Sequence, residues 1–213
     1  MPRRNRVTPF GAIIATPERG TLIGNRGVIH DQRQRIAREW RIKRWILCVL
    51  EFRGRKRAIM APGRWTELFF LDEATGLAAG HRPCAECQRA RFNAFKEAWT
   101  IVHPSAQPSR QPAVEIDELL HADRLEPSGG KRTYSANLDD LPDGVFVTLE
   151  DDRKHALLIL GDALLVWSPA GYRERLPRAK GVEVSVLTPR STVAVIRAGF
   201  VPEVHPSARV VLS

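Results

Sequence analysis

The chain has 213 residues, 43 % hydrophobic and 27 % charged, with 33 Lys/Arg against 24 Asp/Glu for a formal net charge of +9. That balance excludes a disordered polyelectrolyte and predicts a folded, soluble protein of one large or two small domains. No apolar run approaches the roughly 18 residues of a membrane-spanning helix, so no membrane partner is expected.

The charge is unevenly placed. Residues 1–64 hold sixteen Lys/Arg against four Asp/Glu, a net +12, whereas residues 65–213 hold seventeen against twenty, a net −3. A basic segment of this density attracts polyanions, and nucleic acid, DNA first, is the expected partner. An acidic protein partner is the competing assignment. The start, Met1 to Arg6, is basic, but the apolar piece behind it, Phe10 to Ala15, is too short for a secretory signal. Three cysteines, two of them in C-x-x-C spacing, fit a reducing compartment, so a cytoplasmic location is expected.

In chain order, residues 1–30 are punctuated by turn signals, among them Gly24-Asn25-Arg26-Gly27, which reads as a turn, with phosphate contact as the alternative. Asp31 is placed to cap a helix from Gln32 to about Arg44. That helix would carry Arg33, Arg35, Arg38, Arg41, Lys43 and Arg44 as nucleic-acid contacts, with Ile36 and Trp40 as its apolar side. Trp45 to Phe52 and Arg57 to Ala61 read as a hairpin whose loop and flank, Arg55, Lys56 and Arg57, extend the basic surface. Arg64 and Trp65 follow, Trp65 being either a base-stacking side chain or a core tryptophan.

Asp72 caps a short helix over Glu73 to Ala79, which Gly80 ends in a left-handed conformation. Pro83 stiffens the turn before Cys84-Ala85-Glu86-Cys87, and a helix from Ala85 to Trp99 then buries Phe92, Phe95, Ala98 and Trp99. Two thiols at this spacing supply half of a tetrahedral Zn2+ site, or else two free thiols beside a core. The remaining cysteine, Cys48, is either a third ligand or a small hydrophobe in a strand. His81, His103, His121, a carboxylate or water would complete the set, and His103 follows the cysteine helix most closely. Glu67, Asp72 and Glu73 are the candidate general bases for a metal-bound water, against the alternative of capping and salt-bridged carboxylates.

The run from Phe69 to Cys87, with Ala79-Gly80-His81-Arg82-Pro83-Cys84-x-x-Cys87, resembles the zinc-binding module of bacterial Ada-type alkylation-repair proteins over residues 48–90. The resemblance implies Cys84 and Cys87 as zinc ligands and a treble-clef-like hairpin-plus-helices lobe. That family also has an upstream cysteine pair, one member of which accepts a methyl group from DNA; here Cys48 stands alone, with Phe52 four residues on. The whole chain also looks like a bacterial family to which no activity attaches.

Residues 103–114 read as a proline-marked linker, and Glu115 to Leu125 as an amphipathic helix with Ile116, Leu119, Leu120 and His121 inward. Pro127 to Arg132 reads as a loop with a basic tip. From Leu141 the pattern changes to strands: Val145–Leu149, His155–Leu160, Ala163–Trp167 and Val182–Leu187, then a helix from Thr192 to Ala198 capped by Ser191. The expectation is α+β: a basic zinc-binding lobe at 1–102, a linker with a short helix at 103–140, and a small antiparallel β lobe at 141–213. The function expected first is a zinc-stabilised nucleic-acid-binding protein serving DNA repair or regulation. A metal-dependent nuclease or glycosylase and a module for an acidic protein partner are the alternatives.

Overall fold

The computed structural model describes residues 1–54, 58–104, 112–150 and 152–212. Over these residues the chain is α+β, with two six-stranded sheets and five α-helices. No helix among them is long and apolar enough to cross a membrane.

The first sheet joins β1 (Arg4–Val7), β2 (Ile13–Ala15), β3 (Leu22–Asn25), β4 (Ile46–Val49), β5 (Leu68–Phe70) and β6 (Arg82–Pro83) in the order β2-β1-β5-β3-β4-β6. It is mixed, with β1/β5 and β4/β6 parallel. The expected hairpin partner of β4 is corrected here: Ala58 to Ala61 forms no strand, and β4 pairs antiparallel with β3, Ile23 standing opposite Cys48. Gly24 permits this, because a Cβ there would stand 2.2 Å from the Ile46 carbonyl oxygen. The sequence Gly24-Asn25 is therefore strand, not turn.

The basic helix over 32–44 does not form. Asp31 Oδ1 accepts the N–H groups of Arg33 (2.8 Å) and Arg35 (2.9 Å), which closes a local turn, and Gln34 takes φ +59°. The backbone then hangs on carbonyls at the end of β3 and beyond it, Arg41 N–H on Arg26 O and Ala37 N–H on Ile29 O, both 2.9 Å. None of the four apolar residues in these thirteen, Ile36, Ala37, Trp40 and Ile42, is buried, which is too little packing to hold a helix crowded with arginines. Arg33, Arg35, Arg38, Arg41, Lys43 and Arg44 are all exposed on this irregular loop.

The helix after β5 forms as expected. In α1 (Glu73–Ala78), Asp72 Oδ1 accepts Thr75 N–H at 2.8 Å, and Gly80 at φ +85° ends the turn. All six residues of α1 are buried. Leu77 joins a core with Phe92, Phe95, Trp99, Leu157 and Val186, while Ala74 and Ala78 join a second one with Phe146, Leu158 and Tyr172. Gly76 lets α1 sit against β4, since a Cβ there would lie 2.5 Å from both Leu47 methyls.

The cysteine helix starts later than the pattern suggests. Residues 85–88 are a turn and α2 runs Arg89–Val102, burying Phe92, Phe95, Ala98 and Trp99. The proline-marked linker lies largely outside the described residues, and α3 (Pro112–Arg124) begins before its end. Ile116 and Leu120 are buried, but Leu119 is 43 % exposed, against the inward placement expected. Asp117 ties α3 to β6 through a buried two-pronged pair with Arg82, with Nε and Nη2 each 2.8 Å from a carboxylate oxygen.

The second sheet contains β7 (Tyr134–Asn137), β8 (Phe146–Leu149), β9 (Leu157–Leu160), β10 (Ala163–Ser168), β11 (Gly171–Pro177) and β12 (Glu183–Val186). It is antiparallel throughout, in the order β11-β10-β9-β8-β12-β7. The edge strands β7 and β11 carry no apolar run and are additions to the sequence reading. Two helices complete the fold, α4 (Arg190–Arg197) and α5 (Ser207–Leu212). Ser191 lies inside α4 and not at its cap; its N–H and hydroxyl both donate to Asp123 Oδ2 at 2.7 Å.

Candidate metal centre

The parallel pairing of β4 with β6 builds this site. Leu47 stands beside Pro83, and Cys84 N–H donates to Leu47 O at 2.8 Å, which brings Cys84 next to Cys48. The following turn closes with Gln88 N–H on Cys84 O (3.1 Å) and Gln88 Nε2 on Leu47 O (2.9 Å), and it carries Cys87 back to the same place. The three Sγ atoms lie within 4.8 Å of one another, a set able to hold a metal ion. A tetrahedral zinc with Zn–S of about 2.3 Å separates its sulfurs by about 3.8 Å, so these residues fit the ion with small adjustments. Cys48 and Cys84 are buried, Cys87 is half-buried, and Ile23, Ile46 and Phe69 pack around them.

The cluster is polarised toward a thiolate. The Cys84 thiol is drawn down to about 5 by the hydrogen bond from Cys48 and by the backbone N–H groups of Cys87 and Glu86, the latter at 3.4 Å. Cys48, which donates to Cys84 and is buried, is held far above its ordinary value. Burial also raises Cys87, against a hydrogen bond from Val49 N–H. One thiolate hydrogen-bonded by two protonated neighbours is the arrangement from which a metal displaces protons.

None of the three histidines joins the thiols. His81 is fully buried on the other face of β4, its ring 5.1 Å from Trp45 and 4.6 Å from Phe70. His103 follows the far end of α2, its ring 4.4 Å from Trp99, and His121 packs at 4.4 Å on Trp40. Among the described residues the third side chain able to join Cys84 and Cys87 at a metal is therefore Cys48. The candidate carboxylates are engaged elsewhere. Glu67 Oε2 accepts Met60 N–H at 2.7 Å. Asp72 accepts Thr75 N–H, Thr75 Oγ1 (2.6 Å), Tyr172 O–H (2.7 Å) and His205 N–H (2.9 Å). Glu73 pairs with Arg91 and accepts Glu203 N–H at 2.9 Å; burial lifts its carboxyl above the usual range, with Arg91 opposing.

The thiols open on a cleft of about 300 Å³ whose walls include Asn25, Arg44, Phe52, Trp65 and Glu86. Arg44 and Trp65 thus meet at the cleft. Arg35 is paired with Asp31 and Lys43 with Glu118, whereas Arg33, Arg38, Arg41, Arg44 and Arg64 form no ion pair among the described residues. Arg55, Lys56 and Arg57 lie outside the described residues. Phe52 on this wall was not read as a site residue, and Asn25 was read only within the Gly24–Gly27 stretch, with phosphate contact as the alternative. In comparisons with known proteins, no family model, curated protein or solved structure matches this chain.

Proposed function

We propose that this is a zinc-stabilised nucleic-acid-binding protein, in which Cys48, Cys84 and Cys87 hold the ion and the loop over residues 31–44 follows a phosphate backbone. The observation that carries the reading is the convergence of three thiols within 4.8 Å at a cleft walled by Arg44 and Trp65. Exposed arginines release counterions on phosphate contact. The Ada-type resemblance makes DNA the first nucleic acid to test and repair or regulation the setting. Phe52, on the cleft wall where that module carries a cysteine, supports a binding role without methyl transfer.

The engagement of Glu67, Asp72 and Glu73 with backbone and side-chain donors favours binding over hydrolysis. The test is elemental analysis of the purified protein together with fluorescence anisotropy on single- and double-stranded DNA and RNA across a salt series. One zinc per chain and an affinity that falls steeply with salt are expected. Metal-free protein, or binding to heparin as tight as to any oligonucleotide, rejects the reading.

A further inference from the structure

The opposite face of β4 gathers cations. Arg26, at the end of β3, and Arg124, at the end of α3, place their guanidinium carbons 4.0 and 3.9 Å from the ring of Trp45. Both side chains are almost wholly buried, at 2 % and 1 % exposure, and Arg26 Nη2, Arg124 Nε and the His81 Nδ1 beside them have no hydrogen-bond partner. Lys131 joins them from the turn that Leu125 and Lys131 close. With Gly11 and Gly130, these three cations line a cavity of about 130 Å³.

The partners these cations do have are uncharged. Arg26 Nη1 donates to Gly11 O (3.1 Å) and Nε to His81 Nε2 (3.4 Å). Arg124 donates to Gly80 O (2.9 Å), to Lys43 O and to His121 Nδ1 (2.8 Å). Lys131 Nζ donates to Ala78 O. The carboxylate on the cavity wall, Glu39, belongs to an exposed loop residue. Buried charges ordinarily come with a counter-ion, and here two buried guanidinium groups and the half-buried Lys131 share a wall. Burial, then repulsion from Arg26 and Arg124, pulls Lys131 down to about 7 against Asp123; burial holds Arg26 to about 9 against Glu39, and burial with repulsion from Arg26 holds Arg124 to about 9 against Asp117.

We propose that this cavity binds a phosphate-class oxyanion, whose oxygens accept from Arg26 Nη2, Arg124 Nε and Lys131 Nζ. One water needs about 10–15 Å³, so the cavity has room for a tetrahedral oxyanion together with several further heavy atoms. Three donors match the three non-bridging oxygens of a terminal phosphate, or those of free phosphate, better than the two of a diester inside a strand. The free donors are N–H groups, which match oxyanion acceptors. The site shares no side chain with the thiol cluster, so its success or failure is separate from that of the metal reading.

Calorimetric titration of the full chain with inorganic phosphate, at constant ionic strength in a non-coordinating buffer, tests it. Saturable binding is expected, with a rise in Tm above that produced by matched sodium chloride. Lys131→Gln should weaken phosphate by about tenfold or more and, in phosphate-free buffer, unfold at or above the wild-type temperature because a repulsion has been removed. No heat of binding and no phosphate-specific Tm rise in the wild type overturns the inference. So does a Lys131→Gln variant that binds phosphate like the wild type. Competition by a 5′-phosphorylated oligonucleotide, absent for its 5′-hydroxyl counterpart, identifies a nucleic-acid end as the source; competition by neither leaves free phosphate as the ligand.

Discussion

The two faces of β4 make opposite chemical demands. On one side Cys48 joins Cys84 and Cys87 in a thiol cluster that can bind a cation, while Trp45 on the other side looks toward Arg26, Arg124 and Lys131, which call for an anion. The thiol face is assembled from one strand and one short turn, so its geometry is set by a few backbone hydrogen bonds. The cation face draws Arg26 from just after β3, Trp45 from just before β4, Arg124 from α3 and Lys131 from the 125–131 turn, and it exists only if all of them pack. A site built locally is rigid and announces itself in spacing; a site built from distant segments does neither.

Removing thiols should produce the largest effect. Cys84→Ser with Cys87→Ser is expected to abolish metal binding and lower Tm by more than about 10 °C, measured by elemental analysis and thermal unfolding. Retention of metal by that variant would break the assignment. Gly80→Ala comes next. The residue has φ +85°, and a Cβ would meet Arg124 Cδ at 2.5 Å, so a loss of about 2–4 kcal/mol is expected in urea unfolding, with phosphate binding impaired and metal content unchanged. Gly76→Ala, pressing on Leu47 from the shared side, should cost about 1–3 kcal/mol and disturb both faces.

A smaller effect separates the faces by pH. Lys131 faces Arg26 and Arg124, with Asp123 opposing them, and its folded value near 7 lies below the ordinary 10.5. Between those values the unfolded chain binds more protons than the folded one, so stability should rise with pH from about 7 toward 10.5. Below pH 7 the full repulsion is present. Saturating phosphate should flatten the slope, and Lys131→Gln should abolish its share of it, as read from Tm against pH in both proteins. The smallest effect is on the exposed loop: Arg33→Ala and Arg38→Ala should each reduce the salt slope of oligonucleotide binding by about 1, with stability changed by less than about 0.5 kcal/mol.

Much of the local structure was legible before any coordinates. Asp72 as cap, Gly80 as stop, the buried stripe of α2 and the strands from Val145 to Trp167 rest on interactions within a few residues, which sequence spacing encodes directly. The basic stretch over 32–44 misled because charge and a capping residue suggested a helix, whereas the apolar area needed to hold one was missing. Strands β7 and β11 were overlooked because edge strands need little hydrophobic patterning.

By itself the sequence determined the paired thiols, the cap and stop of α1, the hairpins of the second sheet and the basic first third, because backbone dihedrals and near-neighbour side chains decide these. Only the tertiary structure decided that Cys48 joins Cys84 and Cys87, that His81, His103 and His121 stand apart, and that Arg26, Arg124 and Lys131 share a cavity. Those meetings follow from the strand order β3-β4-β6 and from α1 wedged between three cores. Such contacts depend on which distant surfaces bury each other, and no local spacing specifies that.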